Sequence, residues 1–154
     1  MRAIGIDYGR KRIGLALSDA TGLLARPWKT IVSAGGPSHI AALLAAEVAA
    51  LAAEEDGLSA VALGYPRRLN GEPTDQTAAV EAIAARLRSL VAVPVVLQDE
   101  RLTSREAESR LAVREKDWRV RKERLDAAAA AIILQDYLDT RPGRPVPIAD
   151  APEF

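Results

Sequence analysis

An α/β fold is the class this sequence predicts: a mixed sheet, with three antiparallel strands followed by two parallel ones, flanked by helices. Two observations point to it. The chain opens with short segments of period-2 apolar alternation, which suit a strand hairpin. Beyond residue 37 the apolar pattern changes to helix–strand–helix–strand–helix, which adds parallel strands through helical crossovers.

Residues 2–8 (RAIGIDY) place Ile4 and Ile6 on one face and Gly5 and Asp7 on the other. Gly9 and the basic residues after it mark a turn into a second apolar strand, 12–19 (RIGLALSD). Thr21-Gly22 is a further turn, and Trp28–Val32 a third strand. Ala34-Gly35-Gly36-Pro37-Ser38 breaks the pattern, and Ser38 is a candidate N-cap for a helix over Ile40–Glu55, closed by Asp56-Gly57. LSAVALGYP (58–66) suits a buried strand ending at Pro66, followed by a polar loop to Pro73. A helix is expected from about Thr74 to Val91, and a buried strand at 93–98 (VPVVLQ). Thr103 and Glu106 have capping-box spacing for a helix through about Arg110. The charge-dense stretch 113–126 then leads into a last helix that opens at Asp126 and ends near Asp139. These elements form one domain over 1–140, and the proline-rich 141–154 is a tail.

With 154 residues, 49% of them hydrophobic but only 4% aromatic, the core has to be built from Ala, Leu, Val and Ile. The absence of cysteine excludes disulfides, thiolate nucleophiles and sulfur-ligated metal centres. A net charge of +0 argues against a generic nucleic-acid coating protein, though not against an enzyme with a local basic rim. The one histidine, His39, sits beside a helix start, so a catalytic triad or multi-histidine metal site has almost nothing to rest on. The opening residues lack a signal-peptide apolar core, and no apolar run approaches the ~20 residues of a membrane span, so a cytoplasmic location without membrane contact is expected.

Acidic residues stand at three element ends: Asp7 at the end of the first strand, Asp99-Glu100 at the end of the last, and Asp126 at the start of the final helix. In open α/β sheets such ends converge on ligand sites. Carboxylates gathered there need a cation, and Mg²⁺ or Mn²⁺ suits oxygen donors. Each acid also has a structural reading: a turn cap for Asp7, a solvated strand end for Asp99-Glu100, and a helix-dipole partner for Asp126.

Four longer strings bear on the choice. RAIGIDYGRKRIGLALSD (2–19), LGYPRRLNGEP (63–73), VVLQDERLTSREAE (95–108) and RLDAAAAAIILQDYL (124–138) resemble, in order, the motifs of the YqgF family, also called RuvX. Departures are small, with Tyr65 where leucine is commoner and Ser104 where threonine is. The resemblance implies a ribonuclease-H-like fold and a divalent-metal nuclease whose catalytic and metal-binding acids are Asp7, Glu100 and Asp126. With two ions ~3.5–4 Å apart, Asp7, on a strand near the middle of such a sheet, is the best candidate to bridge them in an in-line displacement at phosphorus; one-metal operation with substrate completing the site is the alternative.

Basic residues near these acids are candidates for nucleic-acid contact: Arg10, Lys11, Arg12, Arg101, Arg105, Arg119, Arg121 and Lys122. Arg67, Arg68 and Lys116 lie in the same regions, and Trp118 could stack on a base or pack beneath its loop. The family resemblance points to two substrates. One, the favoured reading, is the 5′ end of precursor 16S ribosomal RNA, with possible ribosome association; the other is a four-way DNA junction, whose symmetric cutting needs a two-fold dimer, so the protein is expected to be a monomer or a homodimer. Two other classes are distinct: a non-catalytic assembly module, and a phosphotransferase, because GIDYG also resembles the first phosphate loop of the actin and sugar-kinase superfamily.

Overall fold

A computed structural model of the chain describes residues 1–66, 70–99 and 118–141; of 118–124 it describes the backbone only. The described elements are β1 (Arg2–Asp7), β2 (Arg12–Ser18), β3 (Ala25–Val32), α1 (Pro37–Ala52), β4 (Leu58–Tyr65), α2 (Thr77–Leu90), β5 (Val95–Asp99) and α3 (Trp118–Thr140). The five strands form one sheet in the order β3-β2-β1-β4-β5. β1, β2 and β3 pair antiparallel, while β4 and β5 join in parallel, which is the mixed sheet expected from the pattern.

The two faces of the sheet are chemically unlike. On one, Ile4, Ile6, Ile13, Leu15, Val61, Leu63 and Val95 meet the apolar stripes of α1 (Ile40, Leu44, Val48, Leu51) and α2 (Val80, Ile83, Leu87). These helix residues recur every three or four positions, as a buried stripe requires. On the other face the strands offer Ala3, Ala16 and Ala62, and α3 lies on them through Ala130, Leu134 and Leu138. A face of small side chains admits a helix at very short range. A Cβ added to Gly5 would lie 2.6 Å from Leu134 Cβ and 2.7 Å from the Ala130 carbonyl oxygen.

Polar contacts set the register of α3 on this face. Gln135 donates through Nε2 to the Leu23 carbonyl (3.0 Å), and its Oε1 accepts from the Ala25 amide (2.9 Å). Arg141 donates to the Gly22 carbonyl (3.0 Å). At the same end of β1 but on the other face of the sheet, the buried Arg2 donates to the carbonyls of Leu51 and Gly57, so a cation satisfies the C-terminal end of α1.

Several boundaries differ from the sequence expectation, each for a local reason. α1 begins at Pro37, with Gly36 rather than Ser38 as N-cap, because proline is pre-organised for the first helical position. α2 starts at Thr77 rather than near Thr74; the buried Thr77 hydroxyl donates to the Pro66 carbonyl (2.8 Å) and accepts from the Thr74 amide (2.8 Å). β5 covers Val95–Asp99 rather than 93–98, and β3 starts at Ala25, upstream of Trp28. α3 starts at Trp118, so Asp126 does not open it. The stretch WRVRKERL, which looked like a charged lead-in, is rich in Arg, Lys, Glu and Leu, all good helix formers. The helix expected from Thr103 to Arg110 and the 141–154 tail beyond Arg141 lie outside the described residues. Among the described residues no helix is long and apolar enough to cross a membrane.

The turn from β2 to β3 is organised by one exposed carboxylate. Asp19 accepts from the Thr21 hydroxyl (2.7 Å) and from the amides of Leu23 (2.9 Å) and Leu24 (3.2 Å). The Thr21 hydroxyl, helped by these amides, holds the Asp19 carboxyl below its ordinary value of 3.8. A depressed folded-state pKa adds stability that is present above the unfolded value and is lost as pH falls through the folded one. Asp19→Asn should therefore be less stable than the parent near neutral pH. The gap in urea midpoint should close as pH drops below 3.8; a gap that does not change with pH would contradict this account of the turn.

Candidate metal centre

The C-terminal edge of β1 gathers residues that are far apart in sequence. Asp7 ends β1, the central strand, and is paired with Gly14 of β2. Directly paired residues point their side chains to the same face, with Cα atoms about 5 Å apart. At Gly14 that face is occupied by α3: a Cβ there would lie 1.9 Å from the Asp126 carbonyl oxygen and 2.3 Å from its carbonyl carbon. The α3 backbone at Asp126 therefore rests on the residue beside Asp7. Asp7 is also in phase with Ala3 and Gly5, which face α3, and Asp126 is one helical turn before Ala130 on the stripe that covers the sheet. Both acids are partly exposed.

Arg12 lies at the same edge, two residues before Gly14 on β2 and therefore on the α3 face. Its Nε donates to Asp126 Oδ2 at 2.9 Å, and the two side chains are 26% and 29% exposed. Asp126 is thus a partly buried, ion-paired residue about two turns inside its helix. That removes the helix-dipole reading, because the dipole acts within the first turn.

Asp99 is on the other face. It is in phase with Val95 and Leu97, which belong to the layer under α1 and α2, and it pairs in register with Tyr65, whose hydroxyl donates to Glu81 of α2. Between β1 and β5 on the α3 face stands Gly64, paired with Gln98, which adds no side chain to that row.

Glu100, Arg101, Arg105, Arg67, Arg68 and Lys116 lie outside the described residues, as do the side chains of Trp118, Arg119, Arg121 and Lys122. Among the described residues no three metal-binding side chains cluster; Asp7 and Asp126 stand at the same edge of the α3 face, linked through Gly14. Its donors are hard carboxylate oxygens without nitrogen or sulfur, which fits Mg²⁺ or Mn²⁺. Arg10 and Lys11 are exposed on the β1–β2 turn, and Arg10 pairs with Asp75 at 3.3 Å, a surface contact of small energetic weight. His39 is exposed at the start of α1 with its ring against Gly35.

Sequence reasoning missed Gly14 and the Arg12–Asp126 pair. The only signal for Gly14 was a glycine inside an apolar strand, which often marks a close backbone approach.

Comparison with known proteins places this arrangement in a family. The profile described as "RuvX: Holliday junction resolvase" matches residues 1–140. A protein of Anaeromyxobacter dehalogenans (strain 2CP-C), named "Putative pre-16S rRNA nuclease", is 40% identical over 141 residues, covering 92% of this chain and 98% of its own. A protein of Geobacillus kaustophilus (strain HTA426) with the same name is 36% identical over 146 residues, covering 92% and 99%. Among solved structures, T. thermophilus RuvC in complex with a Holliday junction substrate superposes with a TM-score of 0.53 at 19% identity, covering 94% of this chain and 97% of that one. That likeness concerns the fold, and the sheet observed is the ribonuclease-H-like one that the motifs implied.

Because backbone, not a flexible side chain, fills the space at Gly14, Gly14→Ala should push α3 away and cost about 1–3 kcal/mol in urea unfolding. Gly36→Ser, where a Cβ meets nothing within 4 Å at an N-cap, should be neutral or slightly stabilising. Equal stability of the two variants would contradict the close approach.

Proposed function

This chain belongs to the RuvX family, and on that footing we propose that it is a divalent-metal-dependent nuclease whose metal is held by Asp7, Asp126 and Glu100. The observation that carries the reading is the meeting of Asp7 and Asp126 on one sheet face despite their separation in sequence. Carboxylates that share one edge of a sheet in this way are suited to neutralisation by a divalent cation. We assign the third carboxylate to Glu100 and not to its neighbour Asp99, because Asp99 is in phase with the layer under α1 and α2.

A bound Mg²⁺ or Mn²⁺ supplies Lewis-acid polarisation of the scissile phosphate and a water of lowered pKa. The chain's own residues do the rest. Asp7, on the rigid central strand, fixes the origin of the site. Asp126 adds its carboxylate from α3. The exposed Arg10 and Lys11 on the adjoining turn meet the phosphate backbone, as do Arg101, Arg105, Arg119, Arg121 and Lys122. The product ends are a 5′-phosphate and a 3′-hydroxyl.

We take the substrate to be the 5′ end of precursor 16S ribosomal RNA, within one domain over 1–140 in the cytoplasm and in association with the ribosome. Relatives that align over 98–99% of their own length carry the pre-16S rRNA name, which supports RNA processing. The second reading, resolution of four-way DNA junctions, is favoured by the family description. It needs two coordinated sites and so a two-fold dimer.

The test is cleavage of precursor 16S rRNA, unstructured RNA and a DNA four-way junction by the parent and Asp7→Asn, with and without chelator. Metal-dependent cleavage of the precursor RNA is expected, lowered roughly 100-fold or more by Asp7→Asn at unchanged circular dichroism. Cleavage that survives the substitution would overturn the site. Cleavage of the junction alone would reverse the order of substrates.

A further inference from the structure

The Arg12–Asp126 pair is more than a surface bridge. It joins β2 to α3 across 114 residues of chain, both side chains are about three-quarters buried, and its carboxylate belongs to the residue whose backbone rests on Gly14, the strand partner of Asp7. Three further ion pairs, Arg2–Glu54, Arg10–Asp75 and Lys29–Glu47, lie elsewhere and do not involve Asp126. The contact is also exchangeable in form. One hydrogen bond runs from Nε to Oδ2, in place of the two-pronged grip by which a guanidinium usually locks a carboxylate.

We infer that Arg12 is the resident counter-ion of Asp126, held there while the site lacks metal and displaced from the carboxylate when a divalent cation binds. This deepens the two-acid reading above and rests on it. The reason is electrostatic. An unneutralised Asp126 beside Asp7, partly withdrawn from water, would raise the energy of the metal-free fold, and Arg12 removes that cost. The same positive charge opposes an incoming cation, so it tunes the affinity downward and keeps the carboxylate in place. Once released, the guanidinium stands at the rim of the site, where a backbone phosphate is the natural anion for its planar donors. Arg12 is therefore a positioning residue that changes partners between the two states of the site.

A structural brace and an exchanging counter-ion predict opposite signs. If Arg12 only braced α3, removing it would weaken cation binding by loosening Asp126. If it is displaced by the cation, removing it strengthens binding. Titration calorimetry with Mn²⁺ alone should show Arg12→Gln binding roughly tenfold more tightly than the parent, with Arg12→Lys closer to the parent because the charge remains. Thermal unfolding gives a second readout. Arg12→Gln should melt below the parent in chelator, and the gap should close at saturating Mn²⁺, since the ion then does what the guanidinium did. A variant that folds only with Mn²⁺ would be the extreme form of the same result.

Equal or weaker Mn²⁺ binding by Arg12→Gln, a melting gap that Mn²⁺ does not alter, or a variant unfolded in both conditions would overturn the exchange. Asp7→Asn, run alongside, separates the two levels of the claim. If the parent binds no Mn²⁺, or Asp7→Asn binds it as the parent does, the two-acid site itself fails. If Asp7→Asn loses binding and Arg12→Gln is unchanged, the site stands and the exchange alone is wrong.

Discussion

The site depends on how closely α3 approaches the sheet. Gly5 and Gly14 leave no room for a Cβ between strand and helix, and the neighbouring positions are alanines. Close contact along this seam brings helix backbone against strand backbone, so the position of Asp126 is set by main-chain packing and not by the reach of a flexible side chain. Contacts at the other end of the helix, from Gln135 and Arg141 to the Gly22–Ala25 segment, hold its register. The α3 backbone at Asp126 is thereby held against Gly14, the strand residue paired with Asp7.

The two faces of the sheet divide the labour. The Ile, Leu and Val face under α1 and α2 buries the large side chains and carries most of the hydrophobic stabilisation. The Ala and Gly face buries little area per residue but permits a geometry that larger residues would block. The stabilising layer thus lies away from the layer where Asp7 and Asp126 are placed. Arg12, from the neighbouring strand, pairs with Asp126 at this edge.

Much of the fold was legible in the sequence because it follows from periodicity. Ile4 and Ile6 alternate with Gly5 and Asp7 as a strand must, and the apolar positions of 40–51 and 80–87 recur at helical spacing. The acids Asp7 and Asp126 were legible through motifs, in the order that one family displays. What pattern could not show was contact. Arg12 and Asp126 have no local signature of pairing, and arginine in a basic turn reads as a solvent-facing charge. The start of α3 was misplaced because a run of Arg, Lys and Glu satisfies both a polar loop and a good helix, and propensity alone does not separate them. Alternation alone could not separate Asp99 from Glu100, since it has no origin until one residue is seen against a core; the choice of Glu100 came from the family motif, and the structure adds that Asp99 is in phase with the layer under α1 and α2.

The central claim is that Asp7 and Asp126 share a divalent cation. Crystals soaked in Mn²⁺ and measured at a wavelength that reveals its anomalous scattering test it most directly. The account predicts one or two peaks at this edge of the sheet, within about 2.0–2.3 Å of oxygens from both carboxylates. Full-occupancy manganese bound elsewhere, with these two side chains unliganded, would contradict it.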